Sequence, residues 1–190
     1  EIKIYQTAVF NGEIYAVTQF IGIRKASLTN PNLNDFAQWV VFDGGFWNGL
    51  VTFNNQLIGA NLDGNVYKYN GSYFEPIGAL GQIAEEIRSY DGHLTVTGTN
   101  RILIFNQTLN QVANIQSSQV TAAPVTFTCG TVIDQTVYIG TPENGVLASS
   151  ITAPTAFEFI MPNGPIKNNM FAINSSSTNL WAVYGGYDIS

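Results

Sequence analysis

The sequence has a single cysteine, Cys129. An intramolecular disulfide is therefore excluded, as is a cysteine-based zinc site, and in "TFTCGTV" the thiol reads as a small buried hydrophobe. Histidine is equally scarce: His93 stands alone, so no histidine cluster can hold a metal, and its place after Asp91-Gly92 makes it a surface turn residue. Seven Lys and Arg against thirteen Asp and Glu give a formal net charge of −6, and only Arg24-Lys25 set two cations side by side. Phosphate binding needs clustered cations, which disfavours DNA and RNA as partners. No apolar run approaches the roughly 18–20 residues that cross a bilayer, so no membrane span is expected. The opening "EIKIYQTAVF" has no basic region ahead of an apolar one and does not begin with Met, so it reads as an internal stretch of a longer protein rather than a signal peptide.

What the chain does have is a rhythm. Asn, Gln, Ser, Thr and aromatics are plentiful, and 190 residues are enough for one domain, residues 1–190, that buries about 70% of its unfolded surface. The apolar residues opening the strand after each tight turn are Ile14, Leu57, Leu94, Val137 and Leu180. A strand-rich period near 40 is the mark of a β-propeller built from four-stranded blades. Asn11-Gly12 and Asp91-Gly92 favour the type I′ hairpin turn, in which both central residues take positive φ. Asn54-Asn55 fits that turn at greater steric cost, and Asp134-Gln135 and Thr178-Asn179 fit it poorly. After each turn both strand faces are largely apolar, which places that strand between two layers.

The expected fold is therefore all-β, a propeller of four blades plus part of a fifth, with boundaries near 1–43, 44–80, 81–118, 119–162 and 163–190. Within a blade the first strand precedes the turn ("WNGLVTF", "AEEIRSY") and the third follows a short polar link ("NVYKYNG", "NRILIFN"). The fourth strands are expected at "FAQWVVF", "YFEPIG", "LNQVANI" and "AFEFIM". "GQIAEEIRS" has helical composition but falls on a first strand. Four and a half blades leave blade faces uncovered, so a fragment of a larger propeller that buries them in the rest of its polypeptide, or by self-association, is expected.

Little reactive chemistry is legible. Glu85 and Glu86 point to opposite faces of a strand, not toward each other as glycoside hydrolysis requires. "SYDGHLT" lacks both the Asp-x-Gly spacing and the Trp of a sialidase box. "DGNVYKY" and "FDGGFWNG" lack the alternating oxygen ligands of a calcium loop, and no phosphate fingerprint is present. No catalytic residue, metal or cofactor is assigned. Exposed aromatics at blade loops can stack on sugars or peptides, which makes Trp47, Tyr73 and Tyr187 the candidate ligand-binding residues. Trp47 is favoured for exposure by the glycines beside it, whereas Trp39 and Trp181 are expected to fill space between blades.

One stretch has a family character. "MPNGPIKNNMFAINSSSTNLWAVYGGYD", from Met161, resembles the PorZ-type proteins, double-propeller components of the type IX secretion system of Bacteroidetes. The Pro-Asn-Gly-Pro loop, the Asn-containing strand and the Leu-Trp strand ending in Gly-Gly carry the likeness. "NGEIYAVT" and "DGNVYKYNG" look like blades of the same family, and units of this kind are also shared with the sensor propellers of two-component regulators. The resemblance implies a non-enzymatic scaffold in the periplasm or at the cell surface, with protein partners and a role in handling lipopolysaccharide. An extracellular ligand- or carbohydrate-binding sensor is the alternative. About 25 residues favour the PorZ type, and the second propeller and C-terminal β-domain of such proteins have no counterpart in the sequence.

Overall fold

The computed structural model describes residues 2–120, 125–161 and 170–184. Its chain divides into two compact units, Glu1–Ile87 and Arg88–Ser190. The first unit holds two four-stranded antiparallel sheets, each a meander in chain order. Sheet one runs β1 (Ile4–Phe10), β2 (Glu13–Thr18), β3 (Ile23–Ser27) and β4 (Val40–Asp43); sheet two runs β5 (Trp47–Phe53), β6 (Gln56–Asn61), β7 (Asn65–Tyr69) and β8 (Phe74–Ala79). The third sheet is formed by β9 (Glu86–Tyr90), β10 (His93–Gly98), β11 (Arg101–Phe105) and β12 (Gln111–Gln116). In the second unit follow β13 (Cys129–Ile133), β14 (Thr136–Thr141), β15 (Gly145–Ser150) and β16 (Ala153–Ile160), then the pair β17 (Met170–Ser175) and β18 (Leu180–Tyr184). A strand forms over the helix-like composition at Glu86–Tyr90, whereas the first half of the expected strand "FAQWVVF" does not extend: Phe36–Gln38 is a 3-10 turn capped by Asp35, and the strand begins at Val40.

Turn chemistry sets the registers. Asn11-Gly12, Asn54-Asn55 and Asp91-Gly92 all take positive φ, as type I′ requires. Asp134-Gln135 does so too, with φ of 46° and 66°, although a glutamine in the left-handed region is disfavoured. The surrounding bonds hold it there: Ile133 pairs with Thr136, Ile151 N donates to Gln135 O at 2.9 Å, and Asp134 N donates to Asp91 Oδ2 at 3.0 Å. Thr178-Asn179 is not a two-residue turn. Ser175 pairs with Leu180, leaving a four-residue loop, 176–179, closed by Ser176 N donating to Asn179 O at 2.9 Å. A second repeated device joins the second strand to the third. Thr18 Oγ1 donates to Gly22 O at 2.6 Å and Thr141 Oγ1 to Gly145 O at 3.1 Å, while Asn61 Oδ1 accepts from Asn65 N at 2.8 Å.

The second strands are buried on both faces, as their sequence implies: Tyr15, Val17, Leu57, Ile58, Leu94 and Val96 all lie in the interior. Between the two sheets of the first unit the core is Ala8, Tyr15, Val17, Ile23, Trp47 and Leu50, with aromatics from β4, β7 and β8 around it. In the second unit Ile102, Ile104, Ile115, Phe127, Val137 and Ile139 belong to one core cluster, and Cys129 packs with Val146 and Ile173. Polar side chains tie sheet to sheet as well. Gln6 accepts from Leu50 N at 3.2 Å and donates to Ile87 O at 3.1 Å, and Thr95 Oγ1 donates to Gly130 O at 2.9 Å.

Candidate functional site

Trp47 is a core residue, not an exposed one. It is 6% exposed, its Nε1 donates to Asp43 Oδ1 at 2.7 Å, and its ring lies 4.4 Å from Phe74 and 5.4 Å from Tyr67, centroid to centroid. The glycines that suggested exposure instead open room for the indole: Asp43 Oδ1 also accepts from Gly45 N at 2.7 Å, and Gly59 lies against the six-membered ring. Trp47 therefore offers no stacking surface. Tyr73 is 62% exposed at the β7–β8 turn, where Asn70 Oδ1 accepts its backbone N–H at 3.0 Å. Tyr187, the Pro-Asn-Gly-Pro loop and the Gly-Gly pair lie outside the described residues. Trp181 is 62% exposed rather than packed between sheets; among the described residues β17 is the one strand paired with β18. Trp39 is half-buried, with Nε1 donating to Leu33 O at 3.0 Å.

A cavity of about 650 Å³ opens as a cleft between the two sheets of the first unit. Its position follows from the hairpins. Asn11 and Asn55 stand at its mouth on the β1–β2 and β5–β6 turns, Lys25 and Phe42 project from β3 and β4, and Lys68 and Tyr69 come from the end of β7. Sequence reasoning missed it because its residues are spread over six elements.

The polar groups of the cleft are ordered. Glu13 Oε2 accepts from Lys25 Nζ at 2.7 Å and from Tyr15 Oη at 3.0 Å. The bond from Lys25 holds the Glu13 carboxyl below its ordinary range, helped by Tyr15 and opposed by burial. Burial pushes the Tyr15 phenol well above its usual value, and the bond to Glu13 pushes it the same way. Tyr15, Phe42, Tyr69 and Phe74 form a chain of ring contacts, with Tyr15–Phe42 and Phe42–Tyr69 meeting edge to face, both at 4.9 Å between centroids. Lys25 Nζ also lies 5.5 Å from the Phe42 centroid. Across the cleft Lys68 Nζ is 3.7 Å from Glu75 Oε2, and Gln56 Oε1 is buried without a hydrogen-bond partner. The arrangement offers ammonium and amide donors, amide acceptors and aromatic edges.

Among the described residues no three of His, Cys, Asp and Glu gather as metal ligands. His93 Nδ1 faces Asp91 O at 2.9 Å beside its turn, and Cys129 is buried.

No protein-family model matches the chain, and no curated protein matches it. Solved structures do. The WD40 β-propeller domain of Doa1 superposes over 96% of this chain and 62% of that one, with a TM-score of 0.64 and 11% identity. The fold is a β-propeller. PorZ, an essential surface component of the type-IX secretion system of Porphyromonas gingivalis, matches 97% of the propeller chain with a TM-score of 0.68 and 19% identity. The extracellular domain of BT4673 from B. thetaiotaomicron matches 95% with a TM-score of 0.66 and 12% identity. The propeller chain spans about a quarter of the length of each of these two proteins.

Proposed function

We propose that this propeller is a non-enzymatic interaction module of an extracytoplasmic protein, and that the cleft between its first two sheets receives the partner. The observation that carries the reading is the cleft itself: it opens between two packed sheets and sets the unpartnered Gln56 Oε1 beside Lys25, Lys68 and aromatic edges, the anatomy of a binding site. Glu13 is engaged by both Lys25 and Tyr15, which makes it part of the ordered wall of the cleft. A periplasmic or cell-surface setting, protein partners and a place in type IX secretion are supported by the likeness to PorZ in fold and by the PorZ-like segment after Met161, which are independent of the cleft.

A second reading rests on the mixed lining of the cleft. Donors and acceptors interleaved along aromatic rings suit a hydroxylated ligand, and a carbohydrate-sensing propeller would use them that way. Lipopolysaccharide handling would be the form this takes in a secretion scaffold. The two readings separate in one experiment. Immobilised chain, with Lys68→Ala and Tyr69→Ala variants beside it, is exposed to an array of bacterial glycans and to envelope proteins from the source cells. A discrete protein lost with both variants supports the scaffold; saturable glycan binding lost with both supports the sensor. Binding that neither variant alters would remove the cleft from either role.

A further inference from the structure

Sheet one uses its two faces differently. Tyr15 and Val17 of β2 turn toward the core shared with sheet two, whereas Ile14, Ala16 and Thr18, one residue out of phase, line a separate cavity of about 370 Å³. The outer wall of that cavity is the connection from β3 to β4. This connection is twelve residues long, 28–39, where the corresponding link between β15 and β16 has two. It is a built structure. Asp35 caps a short 3-10 turn at Phe36–Gln38, Asn30 Nδ2 donates to Gln38 Oε1 at 3.0 Å, and Trp39 Nε1 donates to Leu33 O at 3.0 Å. The loop thereby presents Leu33, Phe36 and Trp39 to the apolar face of the sheet.

Into this apolar cavity the chain brings one cation. Arg24 pairs with Ala16 across β2 and β3 and lines the cavity. Its Nη1 donates to Trp39 O at 3.0 Å and its guanidinium stacks 4.5 Å from the Phe36 centroid, but its Nε is buried without a hydrogen-bond partner. Among the described residues no carboxylate pairs with it. A half-buried guanidinium in apolar surroundings lacks the counter-charge that such a group ordinarily has.

We propose that this cavity is a binding site for a free apolar monocarboxylate, such as a medium-chain fatty acid, with the carboxylate on Arg24 and the chain along Ile4, Ile14, Leu33 and Phe36. Charge complementarity selects the headgroup and the apolar lining selects the tail. The site is separate from the cleft and does not depend on its function.

The test is calorimetric titration of the whole chain with hexanoate, octanoate, decanoate and decanol, each below its micellar concentration. One-to-one binding is expected, tightening roughly fourfold per added methylene until the cavity is full, with decanol at least tenfold weaker than decanoate. Arg24→Met should remove the preference for decanoate over decanol. Because Arg24 also bonds Trp39, Ile4→Asp provides a second variant. Ile4 is 47% exposed, so the fold should persist, checked by the melting transition, while the new anion lowers carboxylate affinity at least tenfold. The proposal is overturned by an absence of saturable binding, by equal affinity for decanol, by binding that both variants retain, or by sedimentation showing that a second copy occupies this face and that decanoate does not displace it.

Discussion

Gly59→Ala is the sharpest single perturbation of the packing that creates the cleft. A Cβ at this position would lie 2.8 Å from Trp47 Cζ3, 3.0 Å from Cε3 and 3.4 Å from Leu50 Cδ1. The indole cannot easily yield, because moving it sacrifices the 2.7 Å bond to the Asp43 carboxylate, a charged hydrogen bond worth about 1.5–3 kcal/mol. Overpacking of this kind costs about 1–3 kcal/mol, which lowers the melting temperature by roughly 2–12 °C at this chain size. Ordinary glycine-to-alanine changes in open space run the other way, and Gly44, with nothing within 4 Å of an added Cβ, supplies the control: Gly44→Ala should be neutral or gain up to about 1 kcal/mol. Trp47→Leu removes the obstructing ring, so the Gly59→Ala penalty should largely vanish in that background, a coupling of about 1–3 kcal/mol. Urea unfolding of the four members of this cycle, followed by circular dichroism, measures it. Additive effects, or a Gly59→Ala protein within about 0.5 kcal/mol of the parent, would refute the packing described for Trp47.

Three further outcomes are expected. Gln6→Ala leaves Leu50 N and Ile87 O without the side chain that serves both, and should cost about 1–3 kcal/mol by denaturant melts. Gln135→Gly should raise stability by about 0.5–1 kcal/mol, the left-handed penalty at φ 66° less the entropy that glycine loses, seen as a higher melting temperature; a fall would mean that the Gln135 side chain matters to the turn. Glu13 has a lowered native pKa because of Lys25, so its contribution is present above the ordinary carboxylate value near 4.3 and is lost as pH falls through the native value. Glu13→Gln should flatten the acid limb of the stability profile by about 1 kcal/mol or less, since the pair is one-third exposed.

The strands are legible in the sequence because two local signals coincide at each hairpin. Asn-Gly and Asp-Gly announce the turn, and a strand apolar on both faces announces layers on either side; together they locate β2 and β10 from the residues alone. Asp134-Gln135 hides the same turn, since what holds Gln135 in the left-handed region is a bond from Ile151, sixteen residues on. The threonine-to-glycine link at Thr18 and Thr141 repeats at comparable places in sheets one and four, and its side-chain bond is a further mark of the repeat that the pattern of turns and strands does not reveal. Trp47 misleads for a physical reason. Flanking glycines signal either an open loop or a close approach, and here they make space for an indole whose N–H is satisfied by Asp43. The cleft is illegible because Asn11, Lys25, Gln56 and Lys68 are joined by register across two sheets, with no spacing in the chain to betray them.

A photo-crosslinking amino acid placed at Asn55, on the rim of the cleft, tests the central claim most directly. Phe20, 76% exposed at the β2–β3 link and outside the cleft lining, serves as the comparison position. Irradiated in the envelope of the source cells, the chain should form one discrete adduct from position 55 that is absent from position 20 and lost when Tyr69→Ala is added. Adducts of equal yield from both positions, or none from position 55, would contradict a binding function for the cleft.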